Sequence, residues 1–222
     1  MDKGKLYIVA TPIGNLADLT FRAKEVLENV DLVACEDTRH TGILLSHYKI
    51  DTPKLSYHSY SGQAKVDKIM AYLEGGKDVA LVSDAGTPGI SDPGYVLVRA
   101  ALEAGVQIIP LPGPSAVITA LCASGLPTDK FLYLGFLPVK KGRQSVFKKI
   151  AASEHTVVFY ESPHRLHKTL EQLTDFLSTD ARIVVAKELT KIYETFYRGS
   201  LKEVLAALPE KLKGEYTIMV HK

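Results

Sequence analysis

Four short stretches of this chain concentrate groups able to do chemistry, and each follows an apolar run. The densest is Ser83-Asp84-Ala85-Gly86-Thr87-Pro88-Gly89-Ile90-Ser91-Asp92-Pro93-Gly94, behind Val79-Ala80-Leu81-Val82. Its glycines let a ligand approach backbone amides, and Asp84 offers a fixed carboxylate. Loops at the carboxyl ends of strands are where open α/β sheets bind ligands. The plainer reading is a Gly/Pro-rich turn into a helix, with Ser91 or Asp92 as cap and Pro93 in the first turn. Ala34-Cys35-Glu36-Asp37-Thr38-Arg39-His40 sets two carboxylates, a hydroxyl, a guanidinium and an imidazole side by side. That is either a site or a helix start capped by Asp-Thr. Tyr57-His58-Ser59-Tyr60 adds a loop histidine with base character. Thr11-Pro12-Ile13-Gly14-Asn15 closes the first apolar run.

The elements that must position these groups follow from periodicity. Strands are expected at Leu6–Ala10, Leu32–Cys35, Leu55–Tyr57, Val79–Ser83 and Val106–Leu111. Between them, Leu19, Ala23, Val26, Leu27 and Val30 recur at helical spacing behind Asp18 or Thr20, Val66 to Leu73 repeats the pattern, and Tyr95, Val98 and Leu102 follow. Alternating strands and helices predict a mostly parallel sheet covered on both faces. Pro112-Gly113-Pro114-Ser115-Ala116 opens another helix, and Gly125 to Asp129 reads as a linker. Beyond it, strands are expected at Phe131–Gly135, Thr156–Tyr160, Arg182–Lys187, Glu194–Arg198 and Glu215–Val220, with helices over 143–152, 163–177 and 200–208. The 182–187 and 194–198 strands are too close for a helical crossover and predict an antiparallel pair. The fold class expected is α/β in two domains, 1–124 with a mostly parallel sheet and 125–222 with a mixed one, and a ligand in the cleft between them.

Composition narrows the function classes. The chain has 222 residues and a formal net charge of only +2, so it carries no global nucleic-acid signature. Its distribution is uneven: residues 1–124 hold 11 Lys+Arg against 14 Asp+Glu, and residues 125–222 hold 16 against 11. Lys140, Lys141, Arg143, Lys148 and Lys149 cluster, with Arg165 and Lys168 further on. Such a run either follows a phosphate backbone or is a solvated helix face. Cys35 and Cys122 lie in apolar elements and read as buried thiols in a reducing compartment. His164 and His167 lack carboxylate partners, so no metal is expected. No signal peptide or membrane span is read, and a cytoplasmic location is expected. Neither G-x-G-x-x-G nor G-x-x-x-x-G-K-[ST] occurs, which disfavours nicotinamide dinucleotides and nucleoside triphosphates.

The motifs at 11–15, 36–39, 83–88, 112–116 and 188–191, in that order and spacing, resemble the tetrapyrrole-methylase-like superfamily of S-adenosylmethionine-dependent methyltransferases. Within it the chain is most similar to the branch that methylates a ribose 2′-hydroxyl of a decoding-region cytidine in 16S rRNA. The resemblance spans residues 5–220 and implies a homodimer of two-domain protomers acting on the small ribosomal subunit. It places S-adenosylmethionine among Pro12, Gly14, Asp84, Ala85, Gly86, Thr87, Ser115 and Ala116, with Tyr160 and Ile218 contributed from the second half. Three departures stand out. The centre is Ser83-Asp84-Ala85 where tetrapyrrole enzymes carry Gly-Asp-Pro, Lys187 stands where Arg is common, and many relatives continue past the last strand. A ribose hydroxyl is a weak nucleophile and benefits from a base; Asp37, Glu36 and His58 are the candidates, in that order. Arg39 and Lys191 are expected to hold phosphates. The alternatives are a tetrapyrrole or protein acceptor on the same scaffold, or an RNA- or nucleotide-binding module without catalysis.

Overall fold

A computed structural model describes residues 2–58 and 61–222, so Ser59 and Tyr60 of the histidine loop lie outside the described residues. The chain forms two compact units that divide between Ser115 and Ala116.

The first unit is a five-stranded sheet of β1 (Lys5–Val9), β2 (Leu32–Cys35), β3 (Lys54–Ser56), β4 (Val79–Val82) and β5 (Gln107–Leu111). Its order is β3-β2-β4-β1-β5 with every pairing parallel. The helices are α1 (Phe21–Asn29), α2 (Thr38–His47), α3 (Gln63–Glu74) and α4 (Tyr95–Glu103). Alternate residues of each strand serve opposite faces. Leu6, Leu32, Ala34, Val79 and Leu81 pack with α3 and α4, whereas Val9, Val33, Cys35, Ala80 and Val82 pack with α1 and α2. Burial on both faces is why these strands read as unbroken apolar runs. A parallel sheet also brings all its carboxyl ends to one edge, so the loops behind β1, β2, β4 and β5 share it.

The second unit begins with α5 (Ala116–Cys122) and continues through β6 (Phe131–Phe136), α6 (Arg143–Ala152), β7 (Thr156–Glu161), α7 (Leu166–Leu173), β8 (Arg182–Lys187), β9 (Thr195–Ser200), α8 (Leu201–Ala207) and β10 (Tyr216–His221). Its sheet runs β6-β7-β10-β8-β9. β6 and β7 are parallel, and every other pairing, including the expected β8–β9 pair, is antiparallel. The three helices α6, α7 and α8 pack on the face bearing Val157, Phe159, Ile183, Val185, Ile218 and Val220.

The division falls ahead of the expected boundary at 124. α5 lies against β10, the central strand of the second sheet. The turn just past its end is also held by Arg198 of β9, which donates to the carbonyls of Ala123 (2.6 Å) and Ser124 (3.3 Å). Helix ends leave carbonyls without intrahelical partners, and a guanidinium from the second unit satisfies these. Cys35 is buried as expected, but Cys122 is exposed at the end of α5.

Candidate functional site

Four loops meet at the carboxyl edge of the first sheet, and hydrogen bonds tie each to the next. Thr11, after β1, forms an antiparallel bridge with Gly86, after β4: each amide donates to the other's carbonyl at 2.9 Å. The Thr11 hydroxyl also donates to the Ser83 carbonyl at 3.0 Å. The Thr87 hydroxyl reaches the loop after β5, donating to the Pro114 carbonyl at 3.1 Å. Asp84 reaches the loop after β2, its Oδ1 accepting from the Asp37 amide at 3.1 Å. Gly86 sits at φ +81, a conformation that side-chain-bearing residues adopt at a cost. A Cβ on Gly113 would lie 2.9 Å from the Cβ of Ala10, so only glycine lets the fourth loop approach the end of β1.

The carboxylates on this edge have different fates. Asp37 caps α2, accepting from the Arg39 amide (2.8 Å), and its other oxygen takes Arg39 Nη2 at 2.6 Å. Those bonds hold its carboxyl well below the usual carboxylate range. The helix-start reading of Asp37 therefore applies, and an anion so stabilised is a poor proton acceptor. Glu36 is the opposite case. Burial, then the nearby charge of Asp84, raise its pKa, and His58 offsets part of this. His58 is exposed, and its amide donates to Ser61 Oγ at 2.9 Å.

Asp92 is the residue that sequence reasoning missed. Neither it nor Ser91 caps the following helix; α4 starts at Tyr95 behind Gly94 with no side-chain cap bond. The Tyr57 hydroxyl instead accepts from the Leu97 amide at 3.2 Å. Asp92 is pushed up to about 6 by burial and by the charges of Glu36 and Asp84, with a Ser83 hydrogen bond opposing. Glu36, Asp84 and Asp92 thus form one acidic group drawn from two loops. A second carboxylate in the same Gly-rich loop was the available signal.

Pro12, Thr87 and Ser115 are half-buried, Gly14 and Ala85 are exposed, and Ala116 is the first residue of α5. Tyr160 is the penultimate residue of β7 in the second unit, packed edge-on against Tyr133. Ile218 does not qualify: it is 0% exposed within the core, on a strand paired on both sides. Strand alternation points it with Tyr216 and Val220 at the helices. Lys191 is also committed elsewhere, bonded to Glu188 and Glu215 at 2.9 Å each. Two carboxylates on one ammonium leave no net positive charge for a phosphate. Arg39 differs, because its side chain is 89% exposed and its pairing with Asp37 is open to water.

The loop edge suits a cationic ligand that is part apolar. Glycines and a small alanine leave backbone open to approach, Pro12 supplies apolar surface, and the three carboxylates supply negative charge. The sequence profile of the Tetrapyrrole (Corrin/Porphyrin) Methylases matches residues 5–205. The chain is 52% identical over 222 residues to the Ribosomal RNA small subunit methyltransferase I of Escherichia coli O157:H7, covering 98% of this chain and 78% of that protein. It is 50% identical over 219 residues to the protein of the same name from Synechocystis sp., with the same shares covered. The fold matches the crystal structure of uroporphyrin-III C-methyltransferase from Thermus thermophilus complexed with S-adenyl homocysteine, at TM-score 0.67 and 18% identity over 97% of each chain.

Proposed function

The chain belongs to the tetrapyrrole (corrin/porphyrin) methylase family, and from that premise we propose that it transfers a methyl group from S-adenosylmethionine to small-subunit ribosomal RNA. The acceptor in this reading is the 2′-hydroxyl of a cytidine in the decoding region of 16S rRNA. The observation that carries the proposal is the near-full-length identity of about half to the two rRNA methyltransferases. The loop edge supports it, because its residues fit the cofactor's chemistry.

When bound, S-adenosylmethionine supplies a methyl on a positively charged sulfur. The residues of the first sheet's carboxyl edge proposed to hold it are Pro12, Gly14, Asp84, Ala85, Gly86 and Thr87, with Ser115 and the adjoining Ala116. Asp84, Asp92 and Glu36 give that side of the site a negative field suited to a cation. The chain's own task is to present an acceptor oxygen in line with the methyl and to remove its proton, and most of the rate comes from positioning. Glu36 takes the role of base. Its raised pKa brings it nearer neutrality than a free glutamate, which is where a general base works best. Asp37 is reassigned to hold the start of α2, and so the Glu36 backbone, through the Asp84 bond. Arg39 is exposed beside it and is proposed to meet an RNA phosphate.

The test is to incubate the protein with methyl-labelled S-adenosylmethionine and purified small ribosomal subunits from cells lacking it, then digest the RNA to nucleosides. Label in 2′-O-methylcytidine is expected. Label in a base or in ribosomal protein would refute the acceptor, and no label in any product would refute the activity.

A further inference from the structure

The end of β6 carries an irregularity that nothing in the cofactor site requires. Along β6, Tyr133 pairs with Val158 but Phe136 pairs with Tyr160, so β6 contains one residue more than β7 over this stretch. Gly135, at φ +61, absorbs the extra residue. Bulges of this kind re-aim a side chain. Leu132 and Leu134 pack against the helical core, and strict alternation would send Phe136 after them. The bulge instead sends Leu137 into that core and turns Phe136 to the opposite face. There its ring sits 5.4 Å from that of Tyr160, which also touches Tyr133, and Phe136 remains 59% exposed.

The loop that follows, Leu137-Pro138-Val139-Lys140-Lys141-Gly142, is fixed from beneath by buried charge. Arg143 donates to the Pro138 carbonyl at 2.9 Å and Arg165 to the Leu137 carbonyl at 3.3 Å. Both guanidiniums lie against Glu161, whose side chain is fully buried. Arg165 meets its Oε1 at 2.5 Å, and Thr169 donates to its Oε2 at 2.7 Å. Arg143 and Arg165 are therefore not free members of the basic cluster. Lys140 and Lys141 are: both are exposed and neither has an ion-pair partner among the described residues. The second unit holds 16 Lys+Arg against 11 Asp+Glu.

We propose that Phe136 with Lys140 and Lys141 forms a docking surface for single-stranded RNA, with one base on the Phe136 ring and the flanking phosphates on the lysines. Sequence-tolerant recognition of unpaired RNA combines an aromatic face with a cationic track. Tyr160 backs the Phe136 ring, and the Glu161–Arg143–Arg165 cluster is a positioning group that holds the lysine loop in register with it. The inference rests on the rRNA-methylation reading and adds where in the second unit the substrate is gripped.

Phe136→Ala and the double variant Lys140→Ala/Lys141→Ala alter exposed side chains, so both fold; circular dichroism checks this. Binding of purified small-subunit rRNA is measured by filter retention across a salt series, S-adenosylmethionine binding by calorimetry, and mass by sedimentation. Phe136→Ala is expected to weaken RNA binding about tenfold, with cofactor affinity and mass unchanged. The double variant is expected to weaken it and to flatten the slope of log affinity against log salt by about 1.4. RNA affinity indifferent to both variants overturns the surface alone, provided the wild-type protein binds. A loss confined to cofactor affinity would make Phe136 a cofactor contact, and a fall in mass would make it a contact between copies; either overturns the proposal. Wild-type protein that neither binds nor methylates RNA overturns this inference and the parent reading together.

Discussion

Two adjacent carboxylates, Glu36 and Asp37, show how environment separates chemically similar side chains. The Asp37 carboxyl is occupied by the α2 amide and by Arg39, whereas Glu36 is raised by burial and by Asp84. Glu36→Gln should therefore lower the single-turnover methylation rate by about 10²-fold or more, the usual worth of a positioned base. Wild-type rate should rise with pH and level off above the raised Glu36 pKa, and that rising limb should vanish in the variant. Asp37→Asn should lower thermal stability and leave the pH profile in place. Equal pH profiles in wild type and Glu36→Gln would exclude Glu36 as the base. Asp92 makes a separate prediction about stability. Its folded pKa, about 6, lies above the ordinary value of 3.8. The folded state thus holds the proton more tightly, so this group's contribution to stability falls as pH rises between those values and is constant above them. Asp92→Asn removes that loss. Denaturant titration should show no difference at pH 4 and a more stable variant above pH 6, by about 1 kcal/mol once water screening of this partly exposed group is counted.

At the scale of elements, the glycine-bearing loops act as joints between strand ends. Gly86 is the most exacting of them, because it combines a left-handed conformation with both bonds of the Thr11 bridge. Gly86→Ala should cost about 1–2 kcal/mol in urea denaturation and should weaken S-adenosylmethionine binding, since the first and third loops would part. Unchanged cofactor affinity in that variant would show that the bridge does not shape the site. The strands of the first unit were legible in the sequence because burial on both faces makes Leu32–Cys35 and Val79–Val82 continuous apolar runs. α2 was not. Its apolar residues crowd into Ile43-Leu44-Leu45, so no stripe shows at helical spacing, and the Asp37 cap stood only as the alternative to a site. β10 was legible as a strand but not in its facing: Tyr216 to Val220 are all buried, so alternation could not show that Ile218 points into the core. The bulge in β6 left only one trace, a glycine inside a strand, which a periodicity reading passes over.

The whole molecule divides its charge as it divides its fold. The first unit, with 11 Lys+Arg against 14 Asp+Glu, carries the acidic loop edge suited to a cationic cofactor; the second, with 16 against 11, carries the lysines suited to a polyanion. The family and the two-part α/β organisation were readable from five motifs in order, although each motif alone is common. The unit boundary was not, because α5 finds its partner strand β10 about a hundred residues further along the chain. No helix among the described residues is long and apolar enough to cross a membrane. The central claim is that the joined loops of the first unit hold S-adenosylmethionine beside Asp84. Calorimetric titration of the cofactor into wild-type protein and into Asp84→Ala tests it most directly. Saturable binding by wild type, weakened at least tenfold in Asp84→Ala, is the predicted result. No heat with wild type, or equal affinities for the two proteins, would contradict it.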